Sequence, residues 1–189
     1  PTVEAAAPVL RSETAGEEAP AEETAAEGEA VVAEPVVTCS PLYGETDLTF
    51  ISDFASHASA TTAIVDIAYG ESSGASEEVK AFADRLAEIE AADLDSVRAL
   101  LTEWGETVTF EPQDVLVTDE AAYQLLSVTH GLDFDRLWLR MAAGHLLRTA
   151  AMAQQVSVTG SSTALKELAA AMAENNKLEA QAMIDLLKA

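Results

Sequence analysis

Residues Phe134 to Ala153 read FDRLWLRMAAGHLLRTAAMA, and the fold of the chain follows from how this stretch is read. Phe134, Leu137, Trp138, Met141, His145, Thr149 and Met152 recur at steps of three or four. That is the period of an α-helix with one buried stripe. Most of the stripe is core material. It also carries one imidazole and two thioethers, which are soft-metal ligands. Whether this helix binds a metal or only packs is the functional question it poses.

The same period recurs on either side. Asp47 to about Tyr69 predicts a first helix, with Phe50, Ile51, Phe54, His57, Ala58, Thr61, Ile64 and Val65 on its inner face. The run Gly70-Glu71-Ser72-Ser73-Gly74 breaks it. Ser76, followed by Glu77 and Glu78, caps a second helix that ends at Trp104-Gly105. A connector over 105–117 has some β character in Thr107-Val108-Thr109-Phe110. Thr118-Asp119-Glu120 is placed to cap a short third helix ending near His130-Gly131, an end where a histidine cation suits the helix dipole. Asp133 then caps the helix of the opening stretch, which reaches about Val156. A fifth helix runs from about Thr163 to Leu187, with Leu165, Leu168, Met172, Asn176, Glu179, Met183 and Leu187 inward. Four long amphipathic helices in two hairpins, with one short connecting helix, predict an all-α four-helix bundle.

The two hairpins read as copies, over 47–105 and 133–189, joined by a connector over 106–132. Phe50 matches Trp138 and His57 matches His145, each pair 88 residues apart. Glu90 matches Asn176, Asp93 matches Glu179, Val97 matches Met183 and Leu101 matches Leu187, each 86 apart. Polar residues interrupt the apolar stripe at the same places in both copies, and a polar group in a core needs a partner. The simplest arrangement pairs His57 with Asp93 and His145 with Glu179 across each hairpin, or the same groups across an approximate two-fold. Glu90 and Asn176 lie one turn away.

Composition narrows the classes of function. The chain has 189 residues and a net charge of −23, with 33 acidic against 10 basic residues. That balance excludes a general nucleic-acid binder and disfavours charge-driven binding to anionic lipid. It suits a partner with a basic surface. Residues 1–46 are rich in Ala, Glu and Pro, with Arg11 as the single cation and no apolar periodicity. They read as an acidic extended arm or tether that such a partner would contact. Cys39 is the only cysteine, so no internal disulfide forms. No stretch approaches the roughly 18 apolar residues of a membrane-spanning helix. An export signal, or a residue carrying a lipid anchor, is expected upstream of Pro1.

Several residues resemble a known family. Its first motif runs F-D-x-x-F-L-x-x-M-x-x-H-H-x-x-A-x-x-M-A, and its second runs Q-x-x-E-I-x-x-M-x-x-W-L. This chain has Phe134-Asp135, Trp138-Leu139, His145, Thr149 and Met152-Ala153, then Asn176, Glu179, Met183 and Leu187. The first copy has Phe50, His57, Glu90, Asp93-Leu94, Val97, Leu101 and Trp104-Gly105. Over residues 47–189 this resembles the bacterial ferritin-like, copper-binding-type family catalogued as domain of unknown function 305. The resemblance implies a ferritin-like bundle in an exported protein, with paired histidines and nearby methionines as ligands for copper or a related soft metal. The histidine pair is His57-Ala58 in one copy and His145-Leu146 in the other, and the first copy has no methionine. The resemblance therefore implies a site that has lost ligands.

Enzyme chemistry has little support. No helix carries Glu-x-x-His, and there is no phosphate loop, zinc spacing or nucleophile elbow. We expect a non-catalytic exported structural or interaction protein with no cofactor, an accessory subunit of a cell-envelope membrane complex such as a respiratory one. The alternative is a copper-handling protein that holds Cu(I) or Ag(I) through His145, Met141, Met152 and Met183.

Overall fold

The computed structural model describes residues 42–108 and 115–188, with the side chains of 115–120 left aside. Five helices follow in order: α1 Glu45–Ala68, α2 Glu77–Trp104, α3 Val115–Ser127, α4 Gly131–Thr159 and α5 Thr163–Leu186. No strand occurs among the described residues. Thr107 and Val108 lie outside any strand, and Thr109 and Phe110 fall outside the described residues. So does the expected arm up to residue 41. Residues 42–46 already belong to the bundle, where Tyr43 stacks on Trp104 with ring centroids 4.6 Å apart.

α1 pairs with α2 and α4 with α5, and α1 also packs against α4 and α2 against α5. The α1–α4 contact is antiparallel. The Trp138 indole N–H donates to the Ile64 carbonyl at 2.8 Å near one end. Asp47 meets Ser161 near the other. The first hairpin therefore rises and falls, and the second falls and rises. The second hairpin begins at the upper end while the first ends at the lower, and α3 packs along α1 and α4 between them in sequence. This is a bundle with one long crossover.

Helix ends show where sequence and structure agree. The Ser76 hydroxyl accepts from the Val79 N–H at 3.3 Å, and Gly105 closes α2 in a left-handed conformation at φ 70°. Other ends lie elsewhere than expected. α4 starts at Gly131, so His130 is its N-cap and Asp133 lies in its first turn. Gly131 adopts φ 58° and donates its N–H to the Ser73 carbonyl, which turns the chain into α4 early. His130 thus faces the positive end of a helix dipole, opposite to the expectation, and its ring bonds the Ser72 carbonyl. α3 starts at Val115, so Thr118, Asp119 and Glu120 lie inside it. α4 continues to Thr159, because the Gly160 N–H still finds the Val156 carbonyl.

Two buried aspartates tie the hairpins together. Asp47 is fully buried, and its carboxylate accepts from the N–H groups of Gly44, Ser161 and Ser162 at 2.8–3.2 Å. It thereby caps its own helix and the start of α5 at once. Asp135 is buried as well and accepts from the Ser76 N–H at 3.0 Å, at the start of α2. Each hairpin's first helix thus supplies a carboxylate to the second helix of the other.

Candidate functional site

The apolar core is divided in two. The upper cluster includes Ile64, Val79, Phe82, Leu86, Phe134, Trp138, Leu146 and Met183. The lower includes Phe50, Ile51, Phe54, Val97, Leu101, Val156, Leu165 and Met172. Between them every long helix presents polar side chains: His57 and Thr61 on α1, Glu90 on α2, His145 and Thr149 on α4, and Asn176 on α5. This layer across mid-bundle is the candidate site.

Its centre is a three-member chain. The Thr61 hydroxyl lies 2.8 Å from His145 Nε2 and 3.2 Å from Glu90 Oε2. A hydroxyl has one proton. When Thr61 donates to the carboxylate, His145 must donate to Thr61 and so carries its proton on Nε2. The His57 and His145 rings sit face to edge, with centroids 3.9 Å apart and an interplanar angle of 59°. Thr149 and Asn176 bond carbonyls of their own helices, those of His145 and Met172. Two buried atoms in the layer, His57 Nδ1 and Glu90 Oε1, have no hydrogen-bond partner.

Burial sets the charge states. It holds the His145 conjugate acid down to about 2, with His57 and the Arg148 guanidinium adding to the effect. His57 is lowered too, first by burial. Burial raises the Glu90 carboxyl to about 7; the Thr61 hydrogen bond opposes this and Asp93 adds to it. Asp93, half-buried, is raised to about 6 by burial. Near pH 7 both histidines are uncharged and Glu90 is close to the midpoint of its titration. Chemically the layer can hold a proton on Glu90 and relay its position through Thr61 to His145.

The expected pair of His145 with Glu179 does not form, and no hydrogen bond joins His57 to Asp93 among the described residues. His145 meets Thr61 across α1–α4, while Glu179 binds Arg85 of α2 at 2.9 Å. The missed residues, Thr61 and Asp47, did leave a signal: Thr61 and Thr149, like Asp47 and Asp135, are 88 residues apart. The four methionines are dispersed. Met183 is fully buried in the upper cluster with Met141 packed on it, and Met172 is fully buried in the lower with Met152 packed on it. Met141 and Met152 share a face of α4 but stand three turns apart, about 16 Å along the axis. One ion cannot take both. Among the described residues no group of three or more His, Cys, Asp and Glu is placed to hold a metal. Two cavities of about 310 and 300 Å³ lie near opposite ends of the bundle, and no residue of the layer lines either.

The sequence profile of the domain of unknown function DUF305 matches residues 47–187, from the capping Asp47 to the end of α5. The chain belongs to the DUF305 family. No curated protein matches it. Its fold is similar to the crystal structure of a DUF305 fragment from Deinococcus radiodurans, with a TM-score of 0.63 and 16% identity over 77% of this chain and 97% of that one. At that identity the likeness is one of fold. In the DUF305 chain described here, the Phe134-Asp135 pair of the first motif proves structural: Phe134 is fully buried in the upper core, and Asp135 caps the other hairpin. No helix is long and apolar enough to cross a membrane among the described residues.

Proposed function

We propose that this protein is a non-catalytic, exported interaction module, an accessory subunit of a cell-envelope membrane complex, whose ancestral soft-metal site has become core. The observation that carries this reading is the use of the ligand-type side chains in packing. Met172 and Met183 are wholly enclosed by apolar neighbours, and His145 is neutral and bonded to Thr61. The reciprocal caps made by Asp47 and Asp135 favour descent from a duplicated hairpin, in which one inherited site could decay while the fold persisted. The partner is a protein with a basic surface, met by the acidic N-terminal arm and by a chain of net charge −23. Export rests on the family resemblance alone.

A competition titration of the full chain with Cu(I) against a chelator tests this reading, with His145→Ala alongside. It predicts no binding above that of the variant. Stoichiometric binding lost in the variant would favour the second reading, a Cu(I) or Ag(I) carrier. One observation supports that alternative: His57 Nδ1 lies buried without a hydrogen-bond partner beside His145, and Met141 stands one turn before His145. A site there would use one or both histidines with Met141, leaving out Met152.

A further inference from the structure

The outer face of α4 departs from the acidic character of the chain. The helix contains two carboxylates, Asp133 in its first turn and Asp135 buried against Ser76. Three of the ten cationic residues, Arg136, Arg140 and Arg148, lie on it and all are exposed. At about 100° per residue, Leu132, Arg136, Arg140, Leu147 and Val158 share a sector about 80° wide, whereas Arg148 lies about 80° further round, where its charge acts on His57 and His145. Leu132, Leu147 and Val158 are 74%, 45% and 71% exposed. The cations of α2 are all engaged: Lys80, Arg85 and Arg98 each hold a carboxylate at 2.9–3.0 Å. Arg136 reaches only Asp133, at 3.9 Å, and Arg140 and Arg148 form no ion pair among the described residues.

Unpaired guanidinium groups interleaved with exposed aliphatic side chains make a recognition surface, since arginine combines planar carboxylate binding with a packing stem. We propose that this face of α4 docks an acidic amphipathic helix of a partner protein. Carboxylates at four-residue spacing would meet Arg136 and Arg140, and aliphatic residues would cover Leu132 and Leu147. The stripe from Leu132 to Leu147 spans about 22 Å, the length of about 15 helical residues. The chain's net charge of −23 repels an extended polyanion, whereas a short acidic helix engages the stripe alone. This surface is opposite in sign to the acidic arm, so its test is independent of the function proposed above.

A fluorescent helical peptide with Glu at every fourth position and Leu between is titrated into the full chain at low and high salt. Binding is expected at low salt and lost at high salt. Arg136→Glu with Arg140→Glu should weaken it about tenfold or more, whereas the paired Lys substitutions should keep most of it. Both arginines are exposed, so the melting temperature should not move. Equal binding to the Glu variant, or no binding at low salt, would overturn the proposal. Phosphatidylglycerol vesicles binding the wild type in place of the peptide would also overturn it and assign the face to a membrane.

Discussion

Glu90→Gln should stabilise this protein at alkaline pH and leave it almost unchanged at acid pH. The carboxyl is raised from 4.5 to about 7 in the fold by burial, so the folded state binds the proton more tightly than the unfolded state. Its contribution to stability is fully present below about 4.5 and is lost as pH rises through about 7. A gap of about 2.5 units at about 1.4 kcal/mol each gives a loss of about 3 kcal/mol by pH 8. Glutamine is neutral throughout and nearly isosteric. Its carbonyl can accept from Thr61 as Oε2 does, and its amide occupies the place of the unpartnered Oε1. The histidines titrate alike in both proteins and cancel in the difference. Urea unfolding at a series of pH values, followed by far-ultraviolet circular dichroism, gives that difference directly. The variant should match the wild type near pH 4 and exceed it by about 3 kcal/mol at pH 8. A difference constant with pH, or one favouring the wild type at pH 8, would refute the account of a buried carboxyl held neutral.

Other consequences follow from the same geometry. Asp47→Ala removes a carboxylate bonded to three backbone N–H groups and should cost about 2–4 kcal/mol, while Asp135→Ala, with one such bond, should cost about 1–2, both measured by thermal melts. Thr61→Val strands His145 Nε2 and Glu90 and should cost about 1–3 kcal/mol; Thr149→Val, which loses only a bond within its own helix, should cost less than about 1. His145 is lowered from 6.5 to about 2 in the fold, so its contribution is present above pH 6.5 and lost as pH falls. His145→Gln should therefore flatten the acid limb of stability by about 1.4 kcal/mol per pH unit below 6.5, until the wild-type ring itself protonates.

The helices were legible because three- and four-residue periodicity is imposed by burial itself, and Ser76 and Gly105 end their helices by local chemistry alone. The start of α4 was not, since it depends on Gly131 bonding Ser73 across a turn. Periodicity placed His57, Glu90, His145 and Asn176 on inner faces but could not say which faces meet. His145 turns toward Thr61 of α1 and not toward α5, a choice made by how the hairpins dock. Asp47 was legible only as the start of the first helix, because its partners, Ser161 and Ser162, lie 114 and 115 residues away. The methionine pair of α4 showed the converse limit: a shared face says nothing about axial distance.

The central claim is that the histidine layer is structural and neutral. Imidazole ¹⁵N resonances of the full chain, followed with pH and with one equivalent of Ag(I), test it most directly. The account predicts a His145 ring protonated on Nε2 at pH 8, still neutral near pH 4 because burial holds it down, and unmoved by silver. A His145 ring that titrates near 6.5, or resonances that shift with one equivalent of Ag(I), would contradict it and return the layer to metal binding.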